Sequence, residues 1–332
     1  MNASSDAAER SSAARRQWTA IERAALISGL AIAMGSLFVT TYTLALGDPV
    51  PRRIEAAVIG NPAAHAQAVN AVERIAGQSL FFRHYPSLAA ARRALQRQQV
   101  YAALDLTQRT PHLYLASAAG ASVAHILERV AFTDARIRVV DTHPLAPSDP
   151  NGLDIFYIVL ISTIIGFVTV FQVRAQAGGL PRHHWWRFVV LFALTAALVL
   201  TLVDGPIFER LALPILESWG ILALQIVTVS SFASTMVVLV GPWAILPTWL
   251  FFVVLGNTAS GGAVSTPLLP RPFALVSEWL PSGAAVTALR NAVYFHPYQH
   301  AQPIAVLATW AAASFAAMLV ASHRRRTSAG VP

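Results

Sequence analysis

The sequence is most constrained by a long stretch that carries no charge. Between Glu217 and Arg271 there is no Asp, Glu, Lys or Arg. Two apolar blocks, 219–241 and 243–255, fill most of this stretch. A charged residue at the centre of a membrane helix costs about 2.5–3.5 kcal/mol, so long uncharged runs are typical of segments in hydrocarbon. The stretch therefore predicts a protein embedded in a lipid bilayer.

The composition supports a multi-pass membrane protein and excludes several chemistries. Charged residues make up 12% of the chain and hydrophobic residues 55%, against about 25% charged residues in soluble domains. Cysteine is absent, which excludes disulfides and thiolate metal sites. The net charge is +8, and the arginines that cluster beside apolar blocks indicate orientation and headgroup contact, not nucleic-acid binding.

All basic residues apart from histidine are arginine, because the sequence contains no lysine. A P-loop needs the lysine of G-x-x-x-x-G-K-[ST] to reach the nucleotide phosphates. If ATP drives this protein, the ATPase is therefore a separate polypeptide. We expect no cofactor and no metal in the chain itself.

Six apolar segments predict membrane-spanning helices, and basic flanks place both termini in the cytoplasm of a cell-membrane protein. The competing interpretation of the first segment is a cleaved signal peptide. The spans are 24–46, 155–173, 188–203, 219–240, 243–255 and 303–322. Three cytoplasmic stretches accompany them: a basic leader (disordered, or a helix on the membrane surface) at 1–23, a loop at 174–187 and a tail at 323–332.

Residues 47–153 are the one section that resembles a soluble domain. Apolar runs alternate with helical patterns in the order βαβαββαβ, which predicts an extracytoplasmic α/β domain with a mostly parallel sheet. Its histidines lack metal-ligand spacing, and its serines lack a G-x-S-x-G context. We therefore expect a domain without catalytic residues. The histidines and serines concerned are His65, His84, His112, His125, His143, Ser117 and Ser122.

The fourth predicted span carries small polar residues that allow two interpretations. Such residues let helices approach closely and hydrogen-bond to one another. They also suit the lining of a substrate path. The candidates for this path are Gln225, Ser231 and Thr235.

Residues 256–302 contain too many prolines for a full span and predict a re-entrant hairpin on the extracytoplasmic side. Two short helices are expected around Pro281, at 272–280 and 282–295, with Ser282 as N-cap of the second. Irregular backbone at membrane depth is tolerated only against protein or a wet cavity, so this segment is a candidate gate. The gate candidates are Gly256, Asn257, Gly261, Gly262, Trp279, Pro281 and Arg290.

Three sequence stretches carry a resemblance to a known family. They are LYLASAAGASVAHILERVA at 113–131, VVDTHPLAPSDPNGLDIFYIVL at 139–160, and LGNTASGGAVSTPLLP…WLPSGAAVTALRNAVYF at 255–295. With the order of spans and domain, the chain resembles the ABC-2-type transporter permeases, in the YhgE/Pip (phage infection protein)-like actinobacterial branch.

The resemblance implies a homodimeric or paired permease that exports hydrophobic or lipid-linked cargo. It also implies a separate nucleotide-binding subunit that docks on the cytoplasmic side, and it supplies no catalytic residues. The docking candidates by position are Arg15, Arg16, Arg23, Arg174, Arg182 and Arg187.

Two other interpretations stay open. The chain could be a non-transporting surface receptor, or an envelope or secretion scaffold, that acts through its extracytoplasmic domain. A membrane enzyme is the third possibility, and no constellation of residues supports it. A partner ATPase would favour transport over the receptor or scaffold.

Overall fold

The computed structural model describes residues 20–134, 136–177, 180–296 and 298–328. The chain forms two compact units, Met1–Thr43 and Leu44–Pro332. Helix α1, Ala20–Leu46, makes up the described part of the first unit. Its apolar side chains are largely exposed, as Ile32 at 70% illustrates. The expected leader at 1–23 lies mostly outside the described residues.

The predicted strand and helix order of the α/β domain is confirmed. A 3₁₀ turn, Ala63–His65, precedes its first helix and has Pro62 as its N-cap; the Asn61 side chain accepts a 3.0 Å hydrogen bond from the amide of Ala63. The elements are β1 Ile54–Ile59, α2 Ala66–Ile75, β2 Leu80–His84, α3 Leu88–Gln96, β3 Ala102–Asp105, β4 His112–Leu115, α4 Ala121–Thr133 and β5 Arg138–Asp141.

The five strands form one sheet in the order β2-β1-β3-β4-β5. Strand β1 is parallel to β2 and β3, β4 is antiparallel to β3, and β5 is parallel to β4. Side chains alternate between faces, so Ile54 and Val58 pack under α2 and α4 while Ala57 and Ile59 pack under α3. One face is thus covered by two helices and the other by a single helix of the domain.

Four helical segments of the second unit, and α1 in the first, are long and apolar enough to cross a membrane, which makes the chain a multi-pass membrane protein. Within the second unit, one helix is central: α7 packs against the long helices α5, α6 and α11, and against α10, Pro281–Tyr294. The bounds of the long helices are α5 Asp154–Gln176, α6 Arg182–Leu202, α7 Ile215–Val240 and α11 Ala301–Ser328. The five apolar segments are Ile21–Leu46, Asp154–Gln176, His183–Ile207, Ile215–Asn257 and Ala301–Ala321.

The longest apolar segment, Ile215–Asn257, folds back on itself. Gly241 ends α7 with φ of 61°, a left-handed conformation that glycine adopts without strain. The rings of Phe232 and Phe251 then stack with centroids 5.0 Å apart, whereas a straight helix would separate these residues by about 28 Å. The segment is therefore a hairpin of two helical arms.

The second arm of this hairpin is irregular. It runs from a 3₁₀ turn, Gly241–Ala244, through α8, Ile245–Trp249, into a π-helix, Leu250–Asn257. Pro247 lies within α8. Proline lacks an amide donor, and the α-helical pattern ends soon after it.

The predicted broken segment contains a 3₁₀ turn, Thr266–Leu268, and two helices, α9 Arg271–Ser277 and α10 Pro281–Tyr294. The prediction that Ser282 caps α10 is wrong. The helix begins at Pro281 with Leu280 as N-cap, because proline at the first helical position has the required φ and no amide to satisfy.

Several predicted boundaries differ from the observed ones. Much of the expected loop at 174–187 is helical, since α5 runs to Gln176 and α6 starts at Arg182. Trp185 follows the α5–α6 connection, where its neighbouring arginines are typical of a membrane interface, yet it is buried and donates a 3.2 Å hydrogen bond to Ser234 Oγ of α7. An indole with a buried partner for its N–H can pack inside a bundle. A π-helix, Val203–Ile207, extends α6 beyond its predicted end. Helix α7 begins before residue 219, and α11 continues into the expected tail.

The α/β domain and the broken segment share hydrophobic cores. Leu268 is 1% exposed and packs among the residues between the sheet and helices α2 and α4. Phe295, which follows α10, packs into the opposite core beside α3 and stacks on His143 at 4.9 Å. Phe295 therefore supplies apolar surface to this core from outside the domain, beside α3 and the 3₁₀ turn Ser117–Ala119.

Truncating Leu268 should destabilise the α/β domain although the residue lies far from it in sequence. Leu268→Ala should cost about 2–5 kcal/mol through lost burial and the cavity left behind. Leu275→Ala is the matched control, because Leu275 is 74% exposed. Thermal unfolding and protease cleavage within the domain, measured in detergent, would check this. Equal behaviour of the two variants would contradict the shared core.

Candidate functional site

The predicted path residues lie between helices of the bundle. Gln225, Ser231 and Thr235 are each at most 2% exposed. Gln225 Nε2 donates to Thr163 Oγ1 of α5 at 3.0 Å, and Thr235 Oγ1 donates to the carbonyl of Ser314 in α11 at 2.7 Å. These bonds join α7 to its neighbours and favour the helix-packing interpretation. Their role in a substrate path stays a prediction.

Two of the predicted gate glycines mark close contacts around the broken segment. A Cβ on Gly256 would lie 3.0 Å from Ser282 Oγ, at the start of α10. A Cβ on Gly262 would lie 3.0 Å from the side chain of Phe156, at the start of α5. The structure therefore brings Gly256 next to the residue after Pro281 and packs Gly262 against α5.

Arg290 and Gly261 are the two gate candidates that bond directly. Arg290 Nη2 donates to the carbonyl oxygen of Gly261 at 3.0 Å. Gly261 has φ of 70°, which favours glycine and turns its carbonyl toward α10. Asn257 is buried at the end of the π-helix, and its Nδ2 has no hydrogen-bond partner among the described residues.

Trp279, the remaining gate candidate, lies after α9 and is 64% exposed. Its carbonyl oxygen accepts a 2.8 Å hydrogen bond from Trp310 Nε1, and the carbonyl of Glu278 accepts one from Gln302 Nε2 at 3.0 Å. Gln302 and Trp310 both belong to α11. The turn between α9 and α10 therefore lies alongside the first three turns of α11.

A cleft of about 550 Å³ separates the α/β domain from the broken segment. Its walls come from the first strand and the end of α3 on the domain side, and from α9, α10 and the start of α11 on the other. Ala284, Thr287 and Arg290 line it from one side of α10, at the spacing of successive helical turns. The opposite side of α10, with Val286 and Leu289, is buried in the helical bundle.

Arginines dominate the charge of this cleft. Arg53, Arg97 and Arg290 line it, against Glu55 and Glu278. Glu55 is already bonded to Arg53 and to Arg83, at 2.9 Å in each case. Within the described ranges, no carboxylate lies within 4.0 Å of the Arg290 guanidinium. The cleft thus holds a partly buried cation that no carboxylate of the described residues contacts directly.

Tyr101 adds a neutral hydrogen-bonding group to the cleft. Burial raises the pKa of its phenol, while nearby Arg290 acts in the opposite direction and Glu278 raises it further. The hydroxyl therefore stays protonated near neutral pH and can donate to an acceptor in the cleft. Beside the cleft, Gln98, which follows α3, donates a side-chain hydrogen bond to Asn291 of α10.

A second polar cluster, formed by Asp149, Asp154 and Arg210, lies at the start of α5 and was not among the predicted sites. Asp149 accepts hydrogen bonds from the amides of Leu153 and Asp154 at 2.9 and 3.0 Å, which satisfies the start of α5. The Asp154 carboxylate in turn accepts two hydrogen bonds from the Arg210 guanidinium, at 2.8 and 3.0 Å. The helix-capping pattern of an Asp before an apolar run was the signal that could have revealed it.

The predicted docking arginines are placed in part. Arg15 and Arg16 lie outside the described residues, and Arg23 is in the first turns of α1. Arg174 lies near the end of α5, with its guanidinium carbon 4.9 Å from the ring centre of Trp185. Arg182 begins α6 and Arg187 is exposed on the same helix. Arg174, Arg182 and Arg187 therefore lie near one connection, between α5 and α6.

Metal ligands are not grouped in the described residues, where no cluster of three or more His, Asp or Glu side chains could hold an ion. His183 and His184 lie in the first turn of α6 with ring centres 4.0 Å apart. The chemistry available in the cleft is thus that of arginine, hydroxyl and amide donors, which bind oxyanions.

No family model matches the chain, and neither the curated proteins nor the solved structures contain a significant match.

The close contact between α9 and α10 depends on Gly283. A Cβ at this position would lie 2.0 Å from the Ser277 carbonyl oxygen, so Gly283→Ala should force the two helices apart and lower the unfolding temperature. Gly220→Ala is the control, because nothing lies within 4 Å of a Cβ there, and alanine in a helix is favoured by about 1 kcal/mol over glycine. Thermal unfolding in detergent would compare them. A Gly283→Ala protein as stable as the control would refute the contact.

Proposed function

We propose that the chain is the membrane subunit of an ABC-2-like exporter for hydrophobic or lipid-linked cargo. The observation that supports this best is the broken helical pair α9–α10. In the sequence, the pair lies between the apolar segment that ends at Asn257 and helix α11. In the structure, it lies beside α11 and lines a cleft instead of crossing the bundle. Broken helices of this kind line substrate pathways in membrane transporters.

The proposal includes six crossings, with both termini in the cytoplasm. The folded-back segment Ile215–Asn257 supplies two of them, and the other four apolar segments supply one each. An even number of crossings leaves both ends on one side, and the arginines at both ends favour the cytoplasmic side. The α/β domain then lies outside, and the α5–α6 connection lies inside.

Single cysteines should report this topology, because the chain has no cysteine of its own. Ala64→Cys, on the exposed start of the α/β domain, should react with a membrane-impermeant maleimide on intact cells. Gln176→Cys, at the end of α5, should react only after permeabilisation. Labelling in the reverse order would overturn the proposed orientation.

Energy for export would come from a second protein, since a chain without lysine has no P-loop. We propose that this ATPase docks at the α5–α6 connection. A homodimer or a paired permease is the expected assembly, as the family resemblance implies.

Purification of the tagged chain from its host, in mild detergent and after crosslinking, should recover a P-loop ATPase. Arg187→Glu should reduce its recovery about tenfold, because a reversed charge repels a partner that fits a cation. Arg129→Glu, with the same charge change on exposed α4, should leave recovery unchanged. Absence of any ATPase from wild-type preparations would count against active transport.

A surface receptor or scaffold remains the alternative function, and one feature favours it. A cavity of about 580 Å³ opens on the α/β domain beside the start of α2, lined by Arg109, Asp134 and Arg136 among others. Such a cavity could take an extracellular partner independently of the membrane helices. A chain that purifies without an ATPase but retains an external ligand would support this alternative.

A further inference from the structure

We propose that the cleft between the α/β domain and the broken segment binds the anionic headgroup of a lipid-like amphiphile, with Arg290 as its principal contact. The inference names the cargo class of the exporter and in that respect rests on the proposed function. Its physical basis is the Arg290 guanidinium, which forms no ion pair within the described residues, in a cleft where three arginines face two glutamates.

The charge argument starts from Arg290. An arginine side chain has five N–H donors and stays charged in proteins. The structure gives Arg290 one hydrogen bond, to the carbonyl of Gly261, and no carboxylate partner in the described part of the chain. A partly buried cation costs free energy unless an anion compensates it. A phosphate or carboxylate entering the cleft would provide that compensation.

The neighbouring groups suit a tetrahedral oxyanion. Arg97 lines the same cleft and lies over the ring of Tyr298 at 5.8 Å. Thr287 is one helical turn before Arg290 on the cleft side of α10. Tyr101 and Gln302 complete the donors. Arginine binds phosphate through two parallel hydrogen bonds, and hydroxyls and amides can satisfy the remaining oxygens.

The position of the cleft indicates an amphiphile. His300, Gln302 and Pro303 line the cleft at the start of α11, so the cleft lies at one end of an apolar helix, where a bilayer would end. Helix α9 exposes Leu275, and Trp279 follows one turn later, at 74% and 64% exposure. Tryptophan favours the headgroup level of membranes. A headgroup in the cleft would therefore have its acyl chains beside these two side chains.

The test is binding of defined lipids to the full chain in detergent, followed by native mass spectrometry. Phosphatidylglycerol should bind at least about tenfold more tightly than zwitterionic phosphatidylcholine. Arg290→Gln should weaken phosphatidylglycerol binding about tenfold, since charge-assisted hydrogen bonds are the strong ones. Arg129→Gln, the same change at an exposed residue of α4 that does not line the cleft, should have no effect.

Two further arms make the result decisive. Arg97→Gln, at the same cleft, should weaken phosphatidylglycerol binding about threefold. If Arg290→Gln does not fold, the effect of Arg97→Gln tests the proposal in its place. Inorganic phosphate should compete only weakly. If both cleft variants bind like Arg129→Gln, or if both lipids bind equally, the proposal is wrong. If phosphate binds as tightly as the lipid, the ligand is a soluble anion and the amphiphile is excluded.

This experiment contains no ATPase and no transport step. Lipid binding without a copurifying ATPase would uphold the site and count against the exporter. A copurifying ATPase without lipid binding would do the reverse, so the two proposals fail separately.

Discussion

The second unit, Leu44–Pro332, depends on one interaction: apolar side chains of the broken segment are buried inside the α/β domain. Leu268 enters one core and Phe295 the other. Each contributes about 1.5–3 kcal/mol by leaving water. Together they hold the broken segment against the α/β domain. Because these two parts of the chain form the two walls of the cleft, this burial fixes the distance between the walls.

Much of the local structure was predictable from the sequence. Strand and helix order in the α/β domain followed from the alternation of apolar runs with helical patterns. The apolar helices were equally plain, and Gly241 marked the reversal between two of them. These features depend on periods of two or 3.6 residues and on single turn residues, which short stretches of sequence carry.

The site was less predictable, because its contacts join distant parts of the chain. Arg290 and Gly261 were selected as members of a broken segment, and no pattern indicated that they bond. Leu268 lies in a short proline-rich stretch without periodicity, so nothing marked it as a core residue of a domain that ends more than a hundred residues earlier. Trp185 shows the same limit. An indole beside arginines is typical of an interface, yet its partner on α7 places it in the interior.

The shared cores also restrict how the cleft can change its width. If the α/β domain swung away as a lid, Leu268 and Phe295 would be drawn into water, at a combined cost of about 3–6 kcal/mol. Helix α9 is held differently. It is two turns long, it exposes Leu275, and its end is attached to α11 by the backbone carbonyls of Glu278 and Trp279. Of the residues of α9, Ser277 alone is buried, so displacing α9 would expose less apolar surface than displacing the α/β domain.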